Sequence, residues 1–117
     1  MPTIRDLVGA LRRRDGVDAA VVLGRDGLLI DSDTAPDLDP ESVAALVPSI
    51  VAAADEFGGQ SGRGALTTAI LEHAHGVAIV SVLSNDAILL VLAQPNANVG
   101  KLLFELRRNR QKIASLV

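Results

Sequence analysis

Two segments of this chain carry apolar side chains on both of the faces that a β-strand presents. In the first segment Ala19, Val21 and Leu23 alternate with Ala20 and Val22, and the second, 87–93, is apolar throughout. A sheet built from such strands must be covered by other elements on both sides. The chain has 117 residues, which is the length of one domain, 1–117. Three predicted helices can supply that cover, so we predict an α/β (α+β) three-layer sandwich.

The pattern along the chain predicts the element order α-β-β-α-β-β-β-α. Apolar spacing and an N-cap at Thr3 predict a first helix from about Ile4 to Arg14. A central helix is predicted to begin after Asp39 and to end near Phe57, and the last helix covers about 98–116. Short turns indicate an antiparallel sheet. The predicted strands are Val17–Leu23, Leu28–Ser32, Ala65–His73, Val77–Leu83 and Ala87–Ala93.

Composition excludes several classes of function. Cysteine is absent, the formal charge is −3, and Phe57 and Phe104 are the only aromatic residues. Neither a basic field nor stacking platforms for bases are present, so we expect no nucleic-acid partner. No signal-peptide h-region precedes the first helix, and no apolar run approaches the roughly 18–20 residues of a membrane span. We therefore expect a cytoplasmic protein without integral membrane association.

The motifs that carry chemistry are incomplete. The glycine-rich stretch 58–64 has P-loop spacing, but Ala65 replaces the lysine. The acidic loop 31–39 would need glycine and glutamate where Pro36 and Ser42 stand to bind calcium as an EF-hand does. His73 and His75 lack a third ligand. We expect no enzyme, no cofactor and no metal site, and Arg63 as an arginine finger has no spacing argument behind it.

The central helix is the most informative surface. Pro48 lacks a backbone donor, and we predict one bent helix around it. A helical projection assigns one face to the core: Val43, Leu46, Val47, Ile50, Ala54 and Phe57. Small and acidic residues share the opposite face: Glu41, Ala45, Pro48, Ser49, Ala52 and Glu56. Since small side chains allow close approach of another backbone, we interpret this face as an interface, the alternative being an alanine-rich surface.

The last helix leaves two alternatives open. Phe104 projects about 140° from the centre of its apolar stripe, and we favour packing on the first helix over contact with a partner. Basic clusters at 12–14 and 107–112 lie late in their helices, where the helix dipole accounts for them. The alternative is an acidic partner or an anionic lipid surface, and the clusters could merge if both helices cover one sheet face.

The segment Gly16–Ile30 resembles the opening hairpin of Roadblock/dynein light chain domains. The stretch Ala87–Ala93 leading to Asn98-Val99-Gly100 is similar to the last strand of that family and the start of its last helix. The resemblance covers about residues 4–116. It implies a five-stranded antiparallel sheet with helices on both faces, and a homodimer in which the third strands pair into a ten-stranded sheet. Here that edge strand would be Ala65, Leu66, Thr67, Thr68, Ala69, Ile70, Leu71 and Glu72.

The resemblance also implies a partner, because family members bind small Ras-like GTPases and bacterial members resemble regulators of gliding-motility GTPases. The paired central helices would form the partner platform. Carried onto this chain, the candidate residues are Glu41, Ala45, Pro48, Ser49, Ala52, Asp55 and Glu56. The leading hypothesis is a homodimeric, non-enzymatic regulator or scaffold of such a GTPase. The alternative is a small-ligand sensor domain of the same fold.

Overall fold

The computed structural model describes residues 2–117. Its sheet has five antiparallel strands in the spatial order β2-β1-β5-β4-β3, with helices on both faces. This confirms the predicted three-layer sandwich. The strands are β1 Val17–Gly24, β2 Leu29–Thr34, β3 Thr68–His73, β4 Gly76–Val82 and β5 Ala87–Ala93. The helices are α1 Ile4–Arg12, α2 Pro40–Ala44, α3 Val47–Gln60, α4 Val99–Arg108 and α5 Arg110–Ala114.

The three inner strands carry the core on both of their faces. On one face Val22, Ile79 and Val91 pack with buried residues of α1, α4 and α5. On the other face Val21, Val80 and Leu90 pack against α2 and α3. Alternate residues of one strand therefore belong to two separate apolar clusters, as the two-faced sequence pattern predicts.

The predicted central helix is wrong as one element, because the chain breaks into α2 and α3. Pro48 has no N–H to continue the helix, so it occupies the first turn of α3, where no intrahelical donor is needed. Before it, the Leu46 N–H donates to the Val43 carbonyl at 3.1 Å, which tightens the end of α2. The predicted last helix breaks in the same way at Asn109, whose side-chain amide donates to the Glu105 carbonyl at 2.9 Å.

The third strand begins later than predicted. Residues Ala65–Thr67 lie before β3, which begins at Thr68. The physical reason is a contact with α3, because the Leu66 N–H donates to Asp55 Oδ1 at 2.6 Å. Leu66 also packs on the apolar cluster beneath α3. The chain is therefore held at the helix around Leu66, and regular pairing with β4 begins only after it.

The loop after α3 folds back on the end of the helix. The Gly58 carbonyl accepts hydrogen bonds from the N–H groups of Arg63 and Gly64, at 2.7 and 3.1 Å. A β-carbon at position 58 would collide with the Gly64 carbonyl oxygen. At Gly59 the equivalent space is open. Two adjacent helical glycines therefore have opposite tolerance for a side chain.

This difference predicts opposite effects on stability. Gly58→Ala should lower the free energy of unfolding by about 1–3 kcal/mol, because the backbone must move to relieve the collision. Gly59→Ala is the matched control and should raise it by about 0.5–1 kcal/mol, because alanine loses less entropy in a helix. Urea denaturation measures both. Equal effects of the two substitutions would contradict the packing described for this loop.

Candidate functional site

The faces of α2 and α3 differ from the sequence projection. Ala44, Val47 and Val51 are buried against the sheet. Leu46 and Phe57, both expected in the core, are 68% and 72% exposed. The projection is wrong because it treats α2 and α3 as one helix and gives the core too wide a share of its circumference. Only a narrow face of each short helix meets the sheet.

An apolar stripe runs along the exposed side of α3, and its residues are Leu46, Ile50, Ala53 and Phe57. Their i, i+4, i+7, i+11 spacing places them in one line along a helix. Ile50 is half-buried and the other three are exposed. Large apolar side chains aligned in this way on a surface mark an interaction site more often than a scattered leucine does.

Next to this stripe lies a second line of exposed residues, the small-residue stripe Ala45, Ser49, Ala52 and Glu56. These four were predicted to form an interface, and they do share one face. Glu41, also predicted, is exposed on α2.

Asp39 caps that helix, and the hydrogen bond from the Ser42 hydroxyl (2.6 Å) lowers the pKa of the Asp39 carboxyl below its ordinary value. The cap is therefore charged at neutral pH and is lost only as the pH falls through that lowered value.

Two of the predicted platform residues also make contacts within the chain. Asp55 accepts the Leu66 N–H, and its second carboxylate oxygen lies 3.3 Å from Arg25 Nη2. Pro48 is half-buried and packs on the turn between β1 and β2, where a β-carbon on Gly27 would lie 3.1 Å from its ring. Both residues therefore also position α3, while Glu41 and the small-residue stripe are the predicted platform residues that are exposed.

An open groove of about 690 Å³ lies between this helix layer and the sheet. Leu46 and Ile50 of the apolar stripe form one wall. Leu71 of β3 and Leu92 of β5 contribute to the sheet side and are only half-buried. The helix layer therefore leaves the β3 side of this sheet face incompletely covered. The groove could not be predicted from the sequence, because its size depends on how far α2 and α3 extend across the five strands.

Strand β3 is an edge of the sheet with backbone groups free for pairing. Val82 donates its N–H to the Thr67 carbonyl at 2.9 Å, and hydrogen-bonded residues alternate along an antiparallel pair. The N–H and C=O of Thr68, Ile70 and Glu72 therefore point away from β4, toward the free edge. Ile70 is 48% exposed. This is a template for a further strand.

The opposite edge strand, β2, carries charged side chains. Asp31 and Asp33 lie within it, and Arg5 of α1 reaches Asp31 at 2.7 Å and the Ser32 carbonyl at 3.4 Å. Charged side chains on an edge strand discourage pairing with another chain. On β3 the first charge is Glu72, near its end. Pairing with a strand of another chain is therefore more favourable at the β3 edge than at the β2 edge.

The segment Pro40–Gln60 is long and apolar enough, by length and composition alone, to cross a membrane. The expectation that no run approaches such a length is therefore wrong for this segment. A helix that packs on the core of a folded domain passes the same test, and here it is broken at Ala45–Leu46. Two of its large apolar residues, Leu46 and Phe57, are exposed, so part of its apolar surface faces outward.

The polar residues that the sequence singled out do not gather into a site. Among residues 2–117 there is no group of three His, Cys, Asp or Glu side chains placed to hold a metal ion. His73 and His75 are exposed at the β3–β4 turn. The Arg63 guanidinium donates to the Ser61 carbonyl of its own loop at 2.6 Å. The surfaces left to explain are the stripes, the groove and the β3 edge.

A sequence model of the Roadblock/LC7 domain matches residues 3–93, more than three quarters of the chain. This chain belongs to the Roadblock/LC7 domain family. Among its relatives, an uncharacterized protein of Methanocaldococcus jannaschii is 31% identical over 106 residues, which are 91% of this chain and 89% of the relative. The family assignment confirms the resemblance drawn from the opening hairpin and the last strand.

Solved structures show the same Roadblock/LC7 fold. An MglB structure described as having a tetrameric arrangement superposes with a TM-score of 0.86 at 20% identity, covering 96% of this chain and 85% of that one. The gliding protein MglB of Thermus thermophilus superposes with a TM-score of 0.83 at 17% identity, covering 96% and 86%. At these identities the likeness concerns the fold.

Proposed function

We propose that this Roadblock/LC7 domain is a homodimeric, non-enzymatic regulator or scaffold of a small Ras-like GTPase in the cytoplasm. The observation that carries the proposal is the groove beside α3, which is open and apolar and is continuous with the edge strand β3, whose outward backbone groups are free to pair. A second copy of the chain satisfies both features at once. The likeness to MglB, a gliding protein described in one structure as a tetramer, supports a regulatory role and self-assembly.

The edge strand supplies the first half of the dimer contact. Antiparallel pairing of two β3 strands about a two-fold axis perpendicular to the sheet joins the outward N–H and C=O groups of Thr68, Ile70 and Glu72 to their symmetry mates. The result is a ten-stranded sheet, as the family resemblance implies. Because like faces then lie on the same side, both α2–α3 layers share one surface of the assembly.

The apolar stripe supplies the second half. Leu46 and Ile50 line the groove on the β3 side of α3, so in this arrangement the stripe of one copy faces that of its partner. Phe57, 72% exposed in one chain, gains cover there. The small-residue stripe then lies on the outer surface, on both copies side by side. We assign that outer surface, with Glu41, to the GTPase.

Pairing through β3 predicts a specific effect of proline. Ile70→Pro removes an N–H that points away from β4, so the intrachain ladder is kept while two symmetry-related bonds between copies are lost. At about 1 kcal/mol per bond, the dimer dissociation constant should rise about 10- to 30-fold. Sedimentation equilibrium measures it, with the intact protein at twice the 12.2 kDa chain mass.

Ile70→Val, which keeps the donor and the β-branch, is the control and should dimerise as the intact protein does. If the proline variant does not fold, Ile70→Lys places a charge on the edge and should also weaken the dimer. Unchanged dimerisation of a folded proline or lysine variant would move the interface away from β3.

The outer surface is tested with Ala52→Arg, compared with Ala10→Arg on exposed α1 at the opposite side of the sheet. Tagged protein is used to capture partners from lysate of the source organism with GDP or a non-hydrolysable GTP analogue, and mass spectrometry identifies them. We expect a small P-loop GTPase, at least tenfold depleted by Ala52→Arg and retained by Ala10→Arg, while both variants remain dimers. Equal capture by the two variants would contradict the assignment of the platform.

A second candidate, a sensor of a small apolar ligand, is favoured by the same groove. Its volume of about 690 Å³ is of the size that holds such ligands, and its walls are mainly apolar. The two candidates differ in what fills the groove. Two results together would favour the sensor over the regulator. The protein would be a folded monomer that captures no GTPase, and hydrophobic compounds would raise its thermal unfolding temperature.

A further inference from the structure

Charge is divided sharply between the two helix layers. The segments 4–15 and 99–117, which hold α1, α4 and α5, contain nine of the eleven Lys and Arg residues but only three of the fourteen Asp and Glu residues. They carry a net charge of +6, and the rest of the chain carries −9. Because all three helices pack on the same sheet face, the positive charge is collected on one side of the molecule.

Within this layer, α4 and α5 present a basic face made of Lys101, Phe104, Arg107, Arg108 and Lys112. All five side chains are exposed. The buried residues of the same helices, Leu102, Leu106 and Ile113, point to the sheet. Phe104 is 56% exposed, so the expectation that it packs on the first helix is wrong. It lies at the centre of the outward face, flanked by cations.

Four of the other five cations of the layer have partners within the chain, and among them Arg5 pairs with Asp31. The fifth, Arg13, is exposed and makes no ion pair with the described residues. Arg12 donates to the Val17 carbonyl at 3.0 Å, and Arg110 donates to Thr68 Oγ1 at 2.7 Å. Arg14 pairs with Glu105, so the one acidic side chain of α4 is already neutralised by a cation outside the basic face. Within residues 2–117, the four cations of the basic face make no ion pair with the chain. They are free to meet an external anion.

The helix dipole does not account for this face. It favours cations in the last turn, where Arg107 and Arg108 lie. Lys101 lies in the first turn of α4, where the dipole disfavours a cation, and Phe104 has no role in a dipole. A lone aromatic side chain ringed by flexible cations is instead typical of helices that lie in a membrane interface. There the ring enters the headgroup region and the cations meet phosphates.

We propose that the basic face docks the protein on an anionic phospholipid surface. Charge complementarity is the argument for this occupant, since a chain with net charge −3 turns a concentrated positive face to one side. The site is peripheral and independent of the proposed GTPase. It lies across the sheet from the small-residue stripe, so both surfaces are available together.

Vesicle binding tests the proposal directly with the whole protein. We expect co-sedimentation with vesicles of phosphatidylcholine and phosphatidylglycerol but not with phosphatidylcholine alone, and release at about 0.5 M salt. The double variant Arg107→Gln/Arg108→Gln should weaken the partition about 10- to 30-fold, and Phe104→Ala at least about tenfold. Arg63→Gln and Ile30→Ala, exposed residues outside this layer, are the controls and should bind as the intact protein does.

A spectroscopic readout separates insertion from simple attraction. The chain contains no tryptophan, so Phe104→Trp creates a single reporter on the basic face. Its emission should shift to shorter wavelength with anionic vesicles, whereas Leu28→Trp, at an exposed turn across the molecule, should not respond. The proposal is overturned by unchanged Phe104→Trp emission, by equal binding to both vesicle types, or by binding of polyglutamate but not vesicles, which would mark an acidic protein as the occupant.

Discussion

The structure depends on one constraint, which is that its inner strands are apolar on both faces. Strands β1, β4 and β5 carry two separate apolar clusters, and each cluster needs a helix layer to exclude water. On one side α1, α4 and α5 supply that layer. On the other side the short pair α2–α3 leaves a groove toward β3. The unequal cover of the two faces of the sheet accounts for where this domain exposes apolar surface to a partner.

Local interactions hold the incomplete layer in place. Asp55 ties α3 to the segment before β3 and to Arg25 near the first hairpin, and Pro48 packs on that hairpin at Gly27. These contacts fix the position of α3 without widening its contact with the sheet. The groove, the apolar stripe and the free β3 edge are consequently presented together on one side, while the basic face is presented on the other. A single Roadblock/LC7 domain thereby carries two chemically distinct surfaces.

Much of the fold could be predicted from the sequence because it depends on local signals. Strand periodicity, the Thr3 cap and short turns give the correct order of strands and helical segments, although two of the predicted helices are each divided in two, and β5 has the predicted bounds. The site was harder to predict, since the exposure of a helical residue depends on how much of the sheet its helix covers in the folded domain. Leu46 and Phe57 look like core residues until the break at Pro48 and the narrow contact with the sheet are known. The stripe beside them, predicted from small residues, does lie on the surface.

Hydrogen exchange at the edge strand tests whether β3 pairs with a second copy of the chain. Ala69 and Leu71 pair with β4, so their amides should be protected at every concentration at which the chain is folded. The Ile70 amide points outward, and its only acceptor in this account belongs to a second copy. It should be protected when the protein is dimeric and exchange rapidly after dilution. Rapid exchange at Ile70 at all concentrations, with Ala69 still protected, would show that β3 does not pair with another strand.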